Sequence, residues 1–144
     1  LANRELLELH VNKYATMVVG CLDFERHTLQ YSVAGHLPKP VLMTPGHIQY
    51  LPGEGMPVGL TPEATYGLDE IALPETFMLV LMSDGVLETI DEVDLIEREK
   101  TLLAQLSGSL EKPGDLIRRL DLGDITSDDL ADDIAGLFVS RGIG

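Results

Sequence analysis

Phe77 to Met82, FMLVLM, is an apolar run that stops abruptly at Ser83-Asp84-Gly85. An unbroken apolar run of strand length, closed by turn residues, predicts a strand buried on both faces. Asp84 then stands at a rigid strand end, and Gly85 lets the backbone turn sharply behind it. Rigid placement suits a metal ligand or a catalytic acid. The same Asp-Gly pair also reads as a plain turn, since both residues dominate turns.

Upstream of this run the pattern is mostly β. Leu1 to Leu9 carries a weak helical spacing of Leu1, Leu6 and Leu9. Tyr14 to Leu22 and Thr28 to Ala34 read as strands joined through Asp23-Phe24-Glu25-Arg26-His27. Gly35-His36-Leu37-Pro38 breaks the second strand. Pro40 to Met43 and His47 to Leu51 form a further pair across Thr44-Pro45-Gly46, where Pro sets φ and Gly permits a positive one. Pro52 to Pro62 holds too many Gly and Pro residues for a regular element, yet Met56, Val58 and Leu60 predict that it packs. Tyr66 to Leu73 reads as one more strand before the central run.

Downstream the period changes. Thr89 and Glu92 fit a capping box, with Thr89 as N-cap. Leu95, Ile96, Leu102, Leu103 and Leu106 form a helical apolar face. Lys112-Pro113-Gly114-Asp115 starts a short helix over Leu116 to Leu120. An acidic stretch from Asp121 to Asp133 then leads into a last strand, Ile134 to Ser140. Strands first, then helices, then a closing strand is an α+β order rather than alternating βαβ.

At 144 residues the chain reads as a single domain, 1–144, or part of one. Its formal net charge of -14 leaves no basic stripe for phosphates, which argues against nucleic acid and against anionic membranes. It suits divalent cations or a basic partner. A single cysteine, Cys21, cannot make an internal disulfide, and no secretory leader or spanning segment is visible, so the cytoplasm is the expected compartment. The first residue is Leu1 rather than Met, which reads as a chain processed or excised from a longer one.

Two carboxylate clusters sit at strand termini far apart in sequence: Asp84, and the pair Asp132-Asp133. If the two strands are neighbours, both clusters converge at one end of the sheet. Carboxylates without a Cys/His set favour hard cations such as Mg²⁺, Mn²⁺ or Ca²⁺. His10, His27, His36 and His47 show no zinc-ligand spacing. The acidic run also reads as a solvated loop. Ser83 lacks the G-x-S-x-G context of a nucleophile. Cys21, mid-strand, reads as a small core residue. His36 reads as a hydrogen-bonded structural residue or a general acid. The Gly53 to Gly59 loop is not followed by the Lys and Ser/Thr of a phosphate-binding loop, and reads as a packed connection.

Several segments line up in order: Ala15-Thr16-Met17 through Leu22-Asp23, Leu29 through Pro40 with Ala34-Gly35-His36-Leu37-Pro38, Gly55-Met56-Pro57-Val58-Gly59-Leu60, Ser83-Asp84-Gly85-Val86-Leu87-Glu88, and Asp132-Asp133-Ile134-Ala135. Together they resemble the SpoIIE/RsbU branch of the metal-dependent (PPM, type 2C) protein serine/threonine phosphatases over nearly the whole chain. The wording is closest to the C-terminal module of RssB-type response regulators, which act in sigma-factor control. The resemblance implies stacked antiparallel sheets flanked by helices, and two Mg²⁺ or Mn²⁺ ions about 3.5–4 Å apart. It implies that Asp84 and the Asp132-Asp133 pair, Asp132 first, are metal ligands. It also implies hydrolysis of phosphoserine or phosphothreonine on a partner protein.

The family's Asn before Ala-Gly-His is Val33 here, and its Thr after the Asp pair is Ala135. Its N-terminal Gly-Asp and Asp-x-x-Gly-His-Gly motifs do not occur in this sequence, so the fold is expected to lack its N-terminal part. This stretch alone is not expected to hold a paired metal site. The alternative is a catalytically silent adaptor that binds a sigma factor or an anti-sigma-factor antagonist. A bare sheet edge would then favour a homo-oligomer or reassociation with the rest of the domain.

Overall fold

The computed structural model describes residues 1–10, 13–108, 110, 112–120 and 133–143. In chain order the elements are α1 (Ala2–Glu8), β1 (Met17–Asp23), β2 (Thr28–Ala34), β3 (Val41–Thr44), β4 (His47–Tyr50), β5 (Asp69–Ala72), β6 (Phe77–Met82), α2 (Gly85–Glu88), α3 (Leu95–Leu106), α4 (Pro113–Arg119) and β7 (Gly136–Arg141). This is the α+β class, with two antiparallel sheets and helices. The chain divides into two compact units, Leu1–Lys39 with Pro52–Leu73, and Pro40–Leu51 with Pro74–Gly144.

The first unit holds a three-stranded sheet in the order β1-β2-β5. The β1–β2 connection is shaped by Asp23, whose Oδ1 accepts from the backbone N–H groups of Glu25 (2.9 Å) and Arg26 (2.8 Å). Such a side-chain bond organises a turn without a glycine. Leu29, Tyr31 and Val33 alternate along β2 and are all buried. Burial, and then the nearby Asp69 carboxylate, raise the Tyr31 pKa above the ordinary phenol value, while its hydroxyl donates to the Pro52 carbonyl at 2.8 Å.

The Pro52 to Pro62 loop packs as its apolar residues predict. Val58 is buried and exchanges two 2.8 Å backbone bonds with Ala15. Asn3 of α1 ties the loop down. Its Nδ2 donates to the Thr61 carbonyl (3.0 Å), and its Oδ1 accepts from the Gly59 N–H (2.7 Å) and the Tyr66 hydroxyl (3.2 Å). At Gly59, with φ +86°, a Cβ would sit 2.5 Å from Leu6 Cδ2, so only glycine lets the helix come this close. β5 begins at Asp69, later than the expected Tyr66, because Tyr66 turns its hydroxyl to Asn3 and precedes the ladder.

The second unit holds a four-stranded sheet in the order β4-β3-β6-β7. β6 is interior, between β3 and β7, and five of its six residues are buried, as its unbroken apolar run predicts. β3 and β4 close across Pro45 and Gly46, the latter at φ +76°. Tyr50 of β4 donates to the Glu99 carbonyl of α3 at 2.7 Å. Burial and then the Glu99 charge drive its pKa far above the ordinary phenol value. Leu102 and Leu106 of α3 and Leu116 of α4 are fully buried. Arg119 of α4 donates to the Leu106 (3.2 Å) and Ser107 (3.1 Å) carbonyls, satisfying the C-terminus of α3.

Three expectations are corrected. Thr89 is not an N-cap: it closes α2, its hydroxyl donating back to the Val86 carbonyl at 2.8 Å, and α3 starts only after Asp94. Asp94 is extended, which lets its carboxylate accept from Ile96 (2.8 Å) and Glu97 (3.4 Å). Leu95 and Ile96 are exposed, so the buried stripe of α3 is narrower than its spacing suggests. Cys21 is exposed, because it pairs with Gln30 and shares that residue's exposed face of the sheet. Gly85 lies in a turn, which the Val86 N–H closes on the Ser83 carbonyl at 3.3 Å, and the chain continues from it into α2.

Candidate metal site at the end of the central strand

β6 and β7 are neighbours and run antiparallel, with Met82 opposite Gly136. The C-terminal end of β6 and the N-terminal end of β7 therefore meet. Asp84 follows β6 by two residues and Asp133 precedes β7 by three, and both side chains are exposed. The two sequence regions expected to converge do so through Asp84 and Asp133. Asp132 lies outside the described residues, as does most of the acidic run.

The join is made by Ser83. Its N–H donates to the Ala135 carbonyl at 2.9 Å. Its hydroxyl accepts from the Ala135 N–H at 2.8 Å and donates to the Asp133 carbonyl at 3.0 Å. A serine hydroxyl has one proton to give, so this one is committed to Asp133 rather than poised as a nucleophile. Asp84 has helical φ and ψ at the start of α2, and its carboxylate makes no capping bond to that helix.

The donor chemistry is oxygen only. Among the described residues no group of three or more His, Cys, Asp or Glu is placed to hold a metal ion. Mg²⁺ keeps several waters and binds through one or two carboxylates, so a donor set of this chemistry suits a hydrated hard cation. His36 is half-buried at the end of β2, and Val33, where the family places Asn, is buried. The part missed from sequence is the pairing role of Ser83. A hydroxyl residue between a buried strand and an Asp-Gly turn was the available signal.

Among the described residues no helix is long and apolar enough to cross a membrane. Residues 1–142 match the family model for Stage II sporulation protein E (SpoIIE). Protein IcfG of Synechocystis sp. is 30% identical over 132 residues, which is 89% of this chain and 21% of that protein. Among solved structures, the RsbU and RsbW domains of Rv1364c from Mycobacterium tuberculosis superpose with a TM-score of 0.69 at 24% identity, covering 98% of this chain and 41% of that one. RsbX in complex with magnesium gives 0.68 at 14% identity, covering 96% and 62%. The phosphatase domain of SpoIIE from Bacillus subtilis, presoaked with Mn, gives 0.64 at 15% identity, covering 95% and 61%. At these identities the likeness is one of fold, and the chain spans only part of each of these relatives.

Proposed function

The chain belongs to the SpoIIE family, and on that premise we propose that residues 1–144 form one domain of a metal-dependent protein serine/threonine phosphatase. Its substrate would be phosphoserine or phosphothreonine on a partner protein in sigma-factor or stress-response control. The wording of the chain favours an output domain of a bacterial response regulator, working in the cytoplasm. The observation that carries the reading is the convergence of Asp84 and Asp133 at one end of the β6–β7 pair. That relatives were studied with magnesium and manganese supports the choice of cation.

Asp84 and the Asp132-Asp133 pair would hold Mg²⁺ or Mn²⁺. A divalent cation bound there would supply Lewis-acid polarisation of a phosphoryl oxygen and an activated water. The chain's own part is to hold the carboxylates at a fixed place on a rigid sheet end, where α2 and β7 start from well-paired backbone.

The test is hydrolysis of a phosphoserine peptide in the presence of Mn²⁺. Turnover should fall by roughly 100-fold or more in Asp84→Asn, since one ligand is lost outright. Equal turnover in wild type and variant would remove Asp84 from the mechanism. An inert wild-type chain would leave two readings: a phosphatase domain inactive without the family's Gly-Asp and Asp-x-x-Gly-His-Gly motifs, which this sequence does not contain, or the silent adaptor, which Val33 and Ala135 in place of the family's Asn and Thr support.

A further inference from the structure

The pairing of β6 with β7 places Ser83 opposite Ala135, one step beyond Met82 and Gly136. In a hydrogen-bonded pair of a regular antiparallel ladder the two residues exchange both backbone bonds. Only one of the two is made here: the Ser83 N–H donates to the Ala135 carbonyl. The reciprocal bond, from the Ala135 N–H, goes to Ser83 Oγ instead of the Ser83 carbonyl, at 2.8 Å. The released carbonyl accepts from the Val86 N–H at 3.3 Å and so begins the turn into α2. One side chain thus lets the backbone leave the sheet for the helix without orphaning a ladder donor. The same hydroxyl reaches on to the Asp133 carbonyl at 3.0 Å.

We propose that Ser83 is the positioning residue of the cation site, fixing the backbone of Asp133 against that of Asp84. The inference rests on the metal reading above. Asp84 is the next residue after Ser83, and Asp133 is held through its own carbonyl, so both carboxylates are referred to one hydroxyl. Alanine at this position removes the hydroxyl that the Ala135 N–H and the Asp133 carbonyl share. Threonine keeps both bonds.

The experiment reads Mn²⁺ affinity, by electron paramagnetic resonance of the free ion, together with amide hydrogen exchange of the full chain. Ser83→Ala should weaken Mn²⁺ binding by roughly 10–100-fold, the usual cost of removing a residue that orients a ligand. It should also speed exchange at Ala135 while Leu79 and Val80 stay protected. Ser83→Thr should restore both. If Ser83→Ala loses the sheet itself, Ser83→Cys carries the same comparison with side-chain bulk retained. Wild-type affinity in a folded Ser83→Ala or Ser83→Cys chain would overturn this inference alone. A wild-type chain that takes no Mn²⁺ would overturn the metal reading and this inference with it.

Discussion

Gly59 and Gly46 both sit at positive φ, but for different reasons. At Gly46 a Cβ would meet nothing within 4 Å, whereas at Gly59 it would meet Leu6 at 2.5 Å. Gly46→Ala should therefore cost only the left-handed backbone penalty, about 1–2 kcal/mol. Gly59→Ala should cost that amount plus an overpacking penalty of about 1–3 kcal/mol, because Leu6 has to give way. Urea midpoints of the two variants check the ordering, and equal costs would mean that α1 does not press on the loop. A glycine in a breaker-rich stretch is legible from sequence. Which glycine faces a helix is not, because the contact joins Leu6 to a loop far along the chain. Asn3 was hidden for the same reason: a polar residue in a short amphipathic helix gives no local hint of its three partners.

Elements were legible where the local pattern alone decides them. The run Phe77 to Met82 needed no partner to declare itself an interior strand, and Pro45-Gly46 marked a hairpin turn whatever surrounded it. Helix starts were less legible, since Thr89, Asp91 and Asp94 all carry capping side chains. The choice falls to the residue whose backbone is extended, and that is Asp94 at φ −91° and ψ 133°. Asp94→Ala should accordingly destabilise the chain by about 1 kcal/mol, within the usual range for a lost N-cap. Thr89→Ala should leave the helicity of α3 unchanged, because its hydroxyl closes α2. Far-UV circular dichroism through a thermal melt separates the two, and a larger loss from Thr89→Ala would restore it as the cap. Cys21 was misread for a topological reason. Whether a mid-strand residue is covered depends on the register that sets its face, and Cys21 lies opposite the exposed Gln30. For a like reason the approach of Asp84 and Asp133 follows only from the pairing of β6 with β7, which neither strand encodes alone.

Across the whole molecule, charge and open edges pull in opposite directions. A net charge of -14 opposes association between copies. The outer edge of β1, by contrast, has no partner strand among the described residues, and its run from Met17 to Leu22 is uncharged. Val19 is 62% exposed on that strand. Edges of this kind invite pairing unless a charge guards them. Wild-type chain should therefore associate with rising concentration, and Val19→Lys should shift it towards monomer in sedimentation velocity. A wild type that stays monomeric throughout would show that the charge prevails.

The hydroxyl of Ser83 and the carbonyl of Asp133 meet across 50 residues of sequence. That separation sets an order of events during synthesis. β6 can find β3 as soon as both have emerged, but β7 is made only after α2, α3 and α4. Closing so long a loop costs entropy that only the finished β6–β7 ladder repays. A ribosome-bound chain halted before Gly136 would carry Asp84 on a strand with one flank still open. The carboxylate pair is thus a late product of folding, and an incompletely translated copy cannot present it.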